Sequence, residues 1–212
     1  MRPLTMLAAA VLCGSTFMVL PGTSAAGDYE VTPLLGYAFG GGFENAENGD
    51  SLDLGDGGNF GLILGMADKT RSGAFYELFY SHQETHLNGD GVVFSGEPRM
   101  DIKIDYLHLG GSYYPTAMEQ QRLMPFVSGG LGLTYLSPEQ GDSETRFSLS
   151  LGGGLRLQLS EHLGLRLEGR GFGTLFNGSG SAFCESGNAC RVKVKGDLFW
   201  QFNALVGLVF SF

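Results

Sequence analysis

From Leu198 to Phe212 every even-numbered residue is apolar: Leu198, Trp200, Phe202, Ala204, Val206, Leu208, Phe210 and Phe212. The odd positions between them include Gln201, Asn203 and Ser211. A period of two gathers the apolar side chains on one face of an extended strand, whereas a helix would scatter them. The phase runs back through Val192 and Val194, with Arg191, Lys193 and Lys195 on the other parity, so one strand is expected over Arg191–Phe212. Arg146–Leu159 repeats the pattern, with Phe147, Leu149, Leu151, Leu155, Leu157 and Leu159 opposite Arg146, Ser148, Ser150, Arg156 and Gln158. In Leu163–Leu175 the faces are Leu163, Leu165 and Leu167 against Arg166, Glu168 and Arg170.

The face opposite the apolar one decides what kind of sheet this is. A soluble sandwich turns Lys and Glu to water, but here that face is mostly glycine and serine with a few charges. The chain has 35 glycines in 212 residues and only 17% charged residues. Small residues suit the narrow lumen of a small barrel whose apolar face meets lipid. Glycine at this density disfavours helices, at up to about 1 kcal/mol per interior position. A hydrophobic content of 43% is too high for a disordered chain. A net charge of -9 makes nucleic acid an unsuitable partner.

Earlier segments alternate less cleanly. Strands are expected over Tyr29–Phe43, Asn59–Met66, Ala74–Thr85, Met100–Tyr114 and Phe126–Leu136, which brings the total to about eight. Met100–Tyr114 changes phase near Tyr106 and Leu107, as a bulge would make it do. Glu77 shares a face with Phe75 and Phe79, so polarity alone does not orient that strand. The connections 44–57, 87–98 and 175–195 are long, while 68–73 and 160–162 are short. Tight turns alternating with loops predict an all-β fold: a single eight-stranded antiparallel up-and-down transmembrane β-barrel, residues 27–212, with both ends on the periplasmic side.

The first 26 residues read as a signal peptide. Arg2 precedes an apolar run from Leu4 to Leu20, Pro21-Gly22 breaks it, and Ser24 and Ala26 are small residues flanking a cleavage point. Cleavage would remove Cys13 and leave Cys184 and Cys190, which are expected to pair as a disulfide in an oxidising exported compartment. The chain's end, Phe210-Ser211-Phe212, has the terminal aromatic of a barrel assembly signal, and Phe210 and Phe212 are assigned that role.

Four stretches carry a family resemblance: Thr32–Tyr37, Tyr76–Ser81, Pro125–Gly132 and Gly207–Phe212. Through them the chain resembles the small eight-stranded outer-membrane β-barrel superfamily that includes OmpX, OmpW and the transmembrane domain of OmpA. The resemblance covers nearly all of 27–212 and implies fold and location, the outer membrane of a Gram-negative bacterium, rather than chemistry. It leaves no room for a wall-binding domain. The partners expected are outer-membrane lipid, lipopolysaccharide and the barrel assembly machinery, with the chain itself a monomer.

Charges that cannot face lipid identify the candidate site. Glu77, Arg156, Arg166, Glu168 and Arg170 are expected inside the lumen as a salt-bridge network, with Lys103 and Asp105 near one rim. The first long loop carries Glu44, Glu47, Asp50, Asp53 and Asp56 with no base, and it should lie beside Arg191, Lys193 and Lys195 where the barrel closes. The rim charges Asp50, Asp53, Asp56, Arg191, Lys193 and Lys195 would then narrow the mouth. The acidic loop lacks EF-hand spacing, and no metal or cofactor is expected. Barrels of this size that act on lipid A use a Ser–His pair near the outer rim. Here Ser81 and His82 are sequence neighbours on opposite faces, and no carboxylate is evident to orient a base, so no enzyme is expected. Tyr37, Phe39, Tyr76, Tyr80, Tyr113, Tyr114, Tyr135, Trp200 and Phe212 are candidates for interface girdles. The function expected is structural or surface-interactive, with the lumen plugged by side chains. A narrow channel for small or hydrophobic solutes is the alternative, and a lipid A-modifying enzyme the third reading.

Overall fold

The computed structural model describes residues 28–44, 51–88, 99–115, 122–139, 142–176, 181–185, 189–193 and 198–212, with side chains described at 28–41, 54–86, 101–115, 122–139, 142–176 and 198–212. The strands are β1 (Tyr29–Phe39), β2 (Gly42–Glu44), β3 (Ser51–Leu54), β4 (Gly57–Ala67), β5 (Ala74–Asn88) and β6 (Arg99–Tyr113). They continue with β7 (Leu123–Pro138), β8 (Glu144–Gln158), β9 (Leu163–Leu175), β10 (Ser181–Glu185), β11 (Ala189–Lys193) and β12 (Leu198–Ser211). Eight long strands pair in the cyclic order β5-β4-β1-β12-β9-β8-β7-β6, and β6 returns to β5. Every pairing is antiparallel, so this is a closed up-and-down barrel. Closure joins the two ends of the chain: Phe212 N–H donates to the Tyr29 carbonyl at 2.9 Å. It also removes both sheet edges, which lipid could not hydrogen-bond.

The four short strands belong to the loop end. Gly40 and Gly41, with φ of 69° and 108°, take the chain out of the β1 direction, so the first strand stops at Phe39 and not at Phe43. β2 and β3 then form a ladder that joins the top of β5. The final strand is also shorter than its sequence pattern. Arg191 and Lys193 lie on β11, which pairs with β10 in a separate two-stranded sheet, and the barrel strand starts only at Leu198. In that hairpin the register sets Cys184 directly opposite Cys190. The signal-peptide reading of 1–26, and the calls on Asp50 and Lys195, lie outside the described residues.

β6 shows no bulge. Its register with β5 and β7 is unbroken from Ile102 to Ser112, and inward and outward residues alternate throughout. The apparent phase change comes from a change of environment. Near the loop end the lumen side is apolar (Ile102, Ile104, Tyr106) and the outer side charged (Lys103, Asp105), while further down the outer side carries Leu107 and Leu109.

The lipid-facing surface is therefore uneven. On β12 eight alternate outward residues are apolar, from Leu198 to Phe212. On β5 there are four, Ala74, Tyr76, Leu78 and Tyr80, before His82 and Glu84 take over. At about 3.3 Å per residue these stretches run roughly 46 Å and 20 Å along their strands. A tilt of about 40° reduces them to roughly 35 Å and 15 Å of height, against an apolar band of about 25 Å. Outward aromatics rim both ends of the wall: Tyr37, Phe39, Tyr80, Tyr135 and Trp200 on the loop side, Tyr76, Tyr113 and Phe212 on the turn side. Tyr114 is not among them; it points into the lumen and is buried.

Candidate functional site

The lumen is filled in tiers, and the register gives their order from the turn end to the loop end. At the bottom Arg156 on β8 pairs with Glu30 on β1, Nη1 to Oε1 at 2.7 Å. Ser211 donates to the same carboxylate at 3.0 Å, Gln158 accepts from Arg156 Nε at 3.1 Å, and the guanidinium lies over the Tyr114 ring. Glu30 does not stand out in the sequence, although it shares the inward parity of Thr32, Gly36 and Ala38 and is buried. Arg156 therefore forms a tier of its own, apart from the other four lumen charges.

Those four meet one tier higher. Arg166 on β9 donates from Nη1 to Glu77 Oε1 on β5 at 2.7 Å and from Nε to Glu168 Oε2 at 2.8 Å. Arg170 donates from Nε to Glu168 Oε1 at 2.8 Å, and its Nη2 lies 3.6 Å from Glu77 Oε2. Ser112 donates to Glu77 at 2.6 Å and Ser128 to Glu168 at 2.5 Å. Two arginines and two glutamates leave no net charge in the tier, and the apolar flanks are supplied by Phe126 against Arg166 and Phe79 against Arg170, with 4.4 Å and 4.2 Å from guanidinium carbon to ring centre. β5 and β9 lie four strands apart in a ring of eight, so the Glu77–Arg166 contact crosses the full lumen. Gly152 makes the room: a Cβ there would sit 2.7 Å from Ser128 Oγ and 2.9 Å from Glu168 Oε1.

An aromatic tier follows. Phe79 and Phe172 meet across the lumen with ring centres 5.6 Å apart, and Tyr106 stacks on Phe172 at 4.1 Å. Tyr106 on β6 also donates to Gln201 Oε1 on β12 at 2.8 Å, a second contact between opposite walls. His108 stands edge-on to Phe172, its ring nitrogens hydrogen-bonded with Ser150 and Ser148 at 3.0 and 2.9 Å. Beside this tier the β5, β4 and β12 walls present the amides of Gln83, Asn59, Gln201 and Asn203, with Gln201 the cross-strand neighbour of Phe172 and Asn203 that of Arg170. Nearest the loops comes an apolar ring of Leu54, Ile102, Ile104, Leu136, Phe176 and Phe199.

A different cluster occupies the outer wall. Lys103 and Asp105 are near the loop-side rim, but they face away from the lumen. Asp105 accepts from Tyr80 OH at 2.7 Å and contacts His82 Nδ1 at 2.8 Å; Lys103 Nζ is 3.2 Å from Glu84. So His82 does have a carboxylate to orient it, contrary to the sequence expectation. The β5–β6 register supplies it by setting His82 opposite Asp105, and no local spacing reveals that register across the long 89–98 connection. Ser81 is buried on the lumen side of the same strand and is separated from His82 by the wall. Of the rim charges, Asp56 is exposed and accepts the Gly40 N–H at 3.2 Å. The side chains of Asp50, Asp53, Arg191, Lys193 and Lys195 lie outside the described set, as do those of Cys184 and Cys190.

The model of the outer membrane protein beta-barrel domain family matches residues 7–210. Among solved structures, AlkL in lipid bilayers superposes with a TM-score of 0.60 at 16% identity, covering 92% of this chain and 95% of that one. Neisserial surface protein A gives 0.57 at 14% identity, covering 89% and 100%. OprG from Pseudomonas aeruginosa gives 0.56 at 15%, covering 88% and 96%. At these identities the likeness is one of fold. Among curated proteins none matches by sequence.

Proposed function

Since the chain belongs to the outer membrane protein beta-barrel domain family, we propose that this outer-membrane protein is a non-conducting barrel acting through its structure and its surface. The observation that carries the reading is the pair of contacts between opposite walls, Glu77–Arg166 and Tyr106–Gln201, stacked above the Glu30–Arg156 pair. The first two draw their atoms from strands four apart in the ring of eight and the third from strands three apart, so together they span the bore at three heights. An ion following the axis would have to part buried, paired charges and leave each uncompensated. The partners that suit such a protein are outer-membrane lipid, lipopolysaccharide and, during biogenesis, the barrel assembly machinery, with the barrel itself a monomer.

Planar-bilayer recording on the purified, refolded barrel tests the reading. A flat current trace is expected at moderate voltage; discrete, reproducible openings would overturn it. A second reading, a narrow passage for small or hydrophobic solutes, is favoured by the apolar ring at the loop end. Uptake of such a solute by vesicles containing the barrel, alongside a flat current trace, would select it. A lipid-modifying enzyme has weaker support. His82 has its carboxylate, but the neighbouring hydroxyl of Ser81 is on the other side of the wall.

A further inference from the structure

We infer that the outer wall over β5, β6, β7 and β8 carries a seat for one phospholipid of the turn-side leaflet, with an acyl chain in a glycine-floored hollow and the phosphate on Arg71. The outward registers build the hollow. Gly111 on β6 stands directly opposite Gly129 on β7, so two neighbouring strands lack an outward side chain in the same row. One step toward the loops the outward row is Leu78, Leu109, Leu131 and Leu149, four leucines side by side on β5 to β8. One step toward the turns stand Ala74, Tyr113 and Val127. Leu151, the β8 neighbour of Gly129, closes the far side. On the near side the β5 neighbour of Gly111 is Tyr76, which sends its hydroxyl to Asp68 at 3.2 Å and does not line the hollow. The space left between these residues is about 580 Å³.

The β4–β5 turn supplies the polar end, because Arg71 lines the hollow from there. Its backbone is held: its N–H donates to the Asp68 carbonyl at 3.2 Å, and its carbonyl accepts from the Ala74 N–H at 3.2 Å. The turn has two basic residues in different circumstances. Lys69 is paired with Asp28 at 2.7 Å. The Arg71 guanidinium is exposed and has no ion-pair or hydrogen-bond partner among the described residues. The turn's own carboxylate, Asp68, is already taken by the Thr70 N–H and hydroxyl at 2.8 and 2.6 Å and by the Tyr76 hydroxyl. Tyr113 belongs to the aromatic rim at this end of the wall, and such rims lie at headgroup level, so Arg71 beyond it is within reach of phosphate.

The occupant follows from these two ends together. An apolar recess left empty forfeits the dispersion contacts of its lining, so something from the bilayer fills it. An acyl chain that does so carries its own headgroup to the turn-side rim. There a guanidinium without a partner offers a planar fork of donors that matches a phosphate and binds it through charge-assisted hydrogen bonds. A side chain from a neighbouring protein would fill the apolar end but bring nothing to Arg71. The inference rests on the outer-membrane lipid partner proposed above and is independent of the closed bore.

The test is native mass spectrometry of the full barrel released from nanodiscs of dioleoylphosphatidylglycerol with a minor share of dioleoylglycerol, two lipids that have the same chains and differ in the phosphate. One retained phosphatidylglycerol per barrel is expected, well in excess of diacylglycerol after correction for their proportions. Arg71→Gln should cut that retention about tenfold, the worth of a charged hydrogen bond. Gly129→Leu should do the same by filling the hollow from its floor; a Cβ there meets only the Ser150 carbonyl at 3.3 Å and Leu151 Cδ1 at 3.7 Å. Lys69→Gln, with its charge already paired, should change nothing. Arg71→Gln lies in an exposed turn and decides the matter even where Gly129→Leu does not fold. A wild-type barrel that retains no lipid, or both lipids alike, would overturn the inference, as would equal losses in Arg71→Gln and Lys69→Gln. Undiminished retention in either folded hollow variant would overturn the seat while leaving lipid as a partner. Failure of the closed bore would show up separately, as conductance.

Discussion

Removing Glu77 should be far more damaging than removing Glu77 and Arg166 together. In the wild-type barrel two arginines and two glutamates share one buried tier, with Glu77 bound to Arg166 at 2.7 Å and Arg166 also bound to Glu168 at 2.8 Å. Glu77→Ala leaves two guanidinium groups facing a single carboxylate in side-chain surroundings only about 2% exposed. Breaking a buried pair from one side costs about 3–5 kcal/mol. With a urea slope of roughly 1–3 kcal/mol/M, that lowers the unfolding midpoint by roughly 1–5 M. Adding Arg166→Met restores neutrality and keeps the Glu168–Arg170 pair at 2.8 Å with its Ser128 bond. The double variant still gives up the Arg166–Phe126 contact, about 0.5–2 kcal/mol, so it should sit between the wild type and the single variant. The expected coupling energy is at least about 2 kcal/mol in a double-mutant cycle. Trp200 is the chain's only tryptophan and faces lipid, so its fluorescence in phospholipid vesicles reports unfolding from the membrane. A Glu77→Ala loss below about 1 kcal/mol, or a double variant equal to the sum of the singles, would refute the account of the tier as one neutral electrostatic unit.

Three further outcomes are expected. Phe212→Asp should leave export intact but reduce outer-membrane insertion, seen as loss of the heat-modifiable band on gels; an undiminished band would count against Phe210 and Phe212 as an assembly signal. Intact protein should gain two hydrogens in mass on reduction, because the hairpin register sets Cys184 opposite Cys190; alkylation of both thiols without reductant would exclude the disulfide. In the β4–β5 turn, the Thr70 hydroxyl donates to Asp68 at 2.6 Å and lowers the Asp68 carboxyl below its ordinary value. A depressed folded value stabilises the turn above the ordinary carboxylate range, and the benefit is lost as pH falls through the folded value. In Thr70→Val the Asp68 titration followed by carbon NMR should move upward; an unchanged midpoint would remove the hydroxyl as the cause.

The strands easiest to read in the sequence were those with one environment on each side over their whole length. β8, β9 and β12 have lipid on one face and small or paired polar groups on the other, so alternation alone assigns Arg156, Arg166, Glu168 and Arg170 to the lumen. β6 resisted because both its faces change along the way, with Ile102 and Ile104 inside while Lys103 and Asp105 face out above the apolar belt. Parity also says nothing about which lumen charges meet. That depends on the stagger between strands far apart in sequence, which takes Arg156 to Glu30 and Arg166 to Glu77. Glu30 itself was within reach of parity. As a lone acid at the start of a strand marked by its apolar residues, it carries no signal beyond that parity. The His82–Asp105 contact is of the other kind, fixed by a register that no local pattern encodes.

The unequal wall has a consequence for the membrane around it. A bilayer of uniform thickness cannot match an apolar face of roughly 35 Å at β12 and roughly 15 Å at β5 at the same time. Leaning toward one side and pinching the leaflets near β5 and β6 both relieve the difference, and Tyr80, His82, Glu84, Lys103 and Asp105 give the lowered headgroups polar groups to rest against. The barrel thus has a front and a back as seen by lipid. A molecule that thins its surroundings along one meridian gives neighbouring proteins a preferred direction of approach, since two thinned rims cost less when shared.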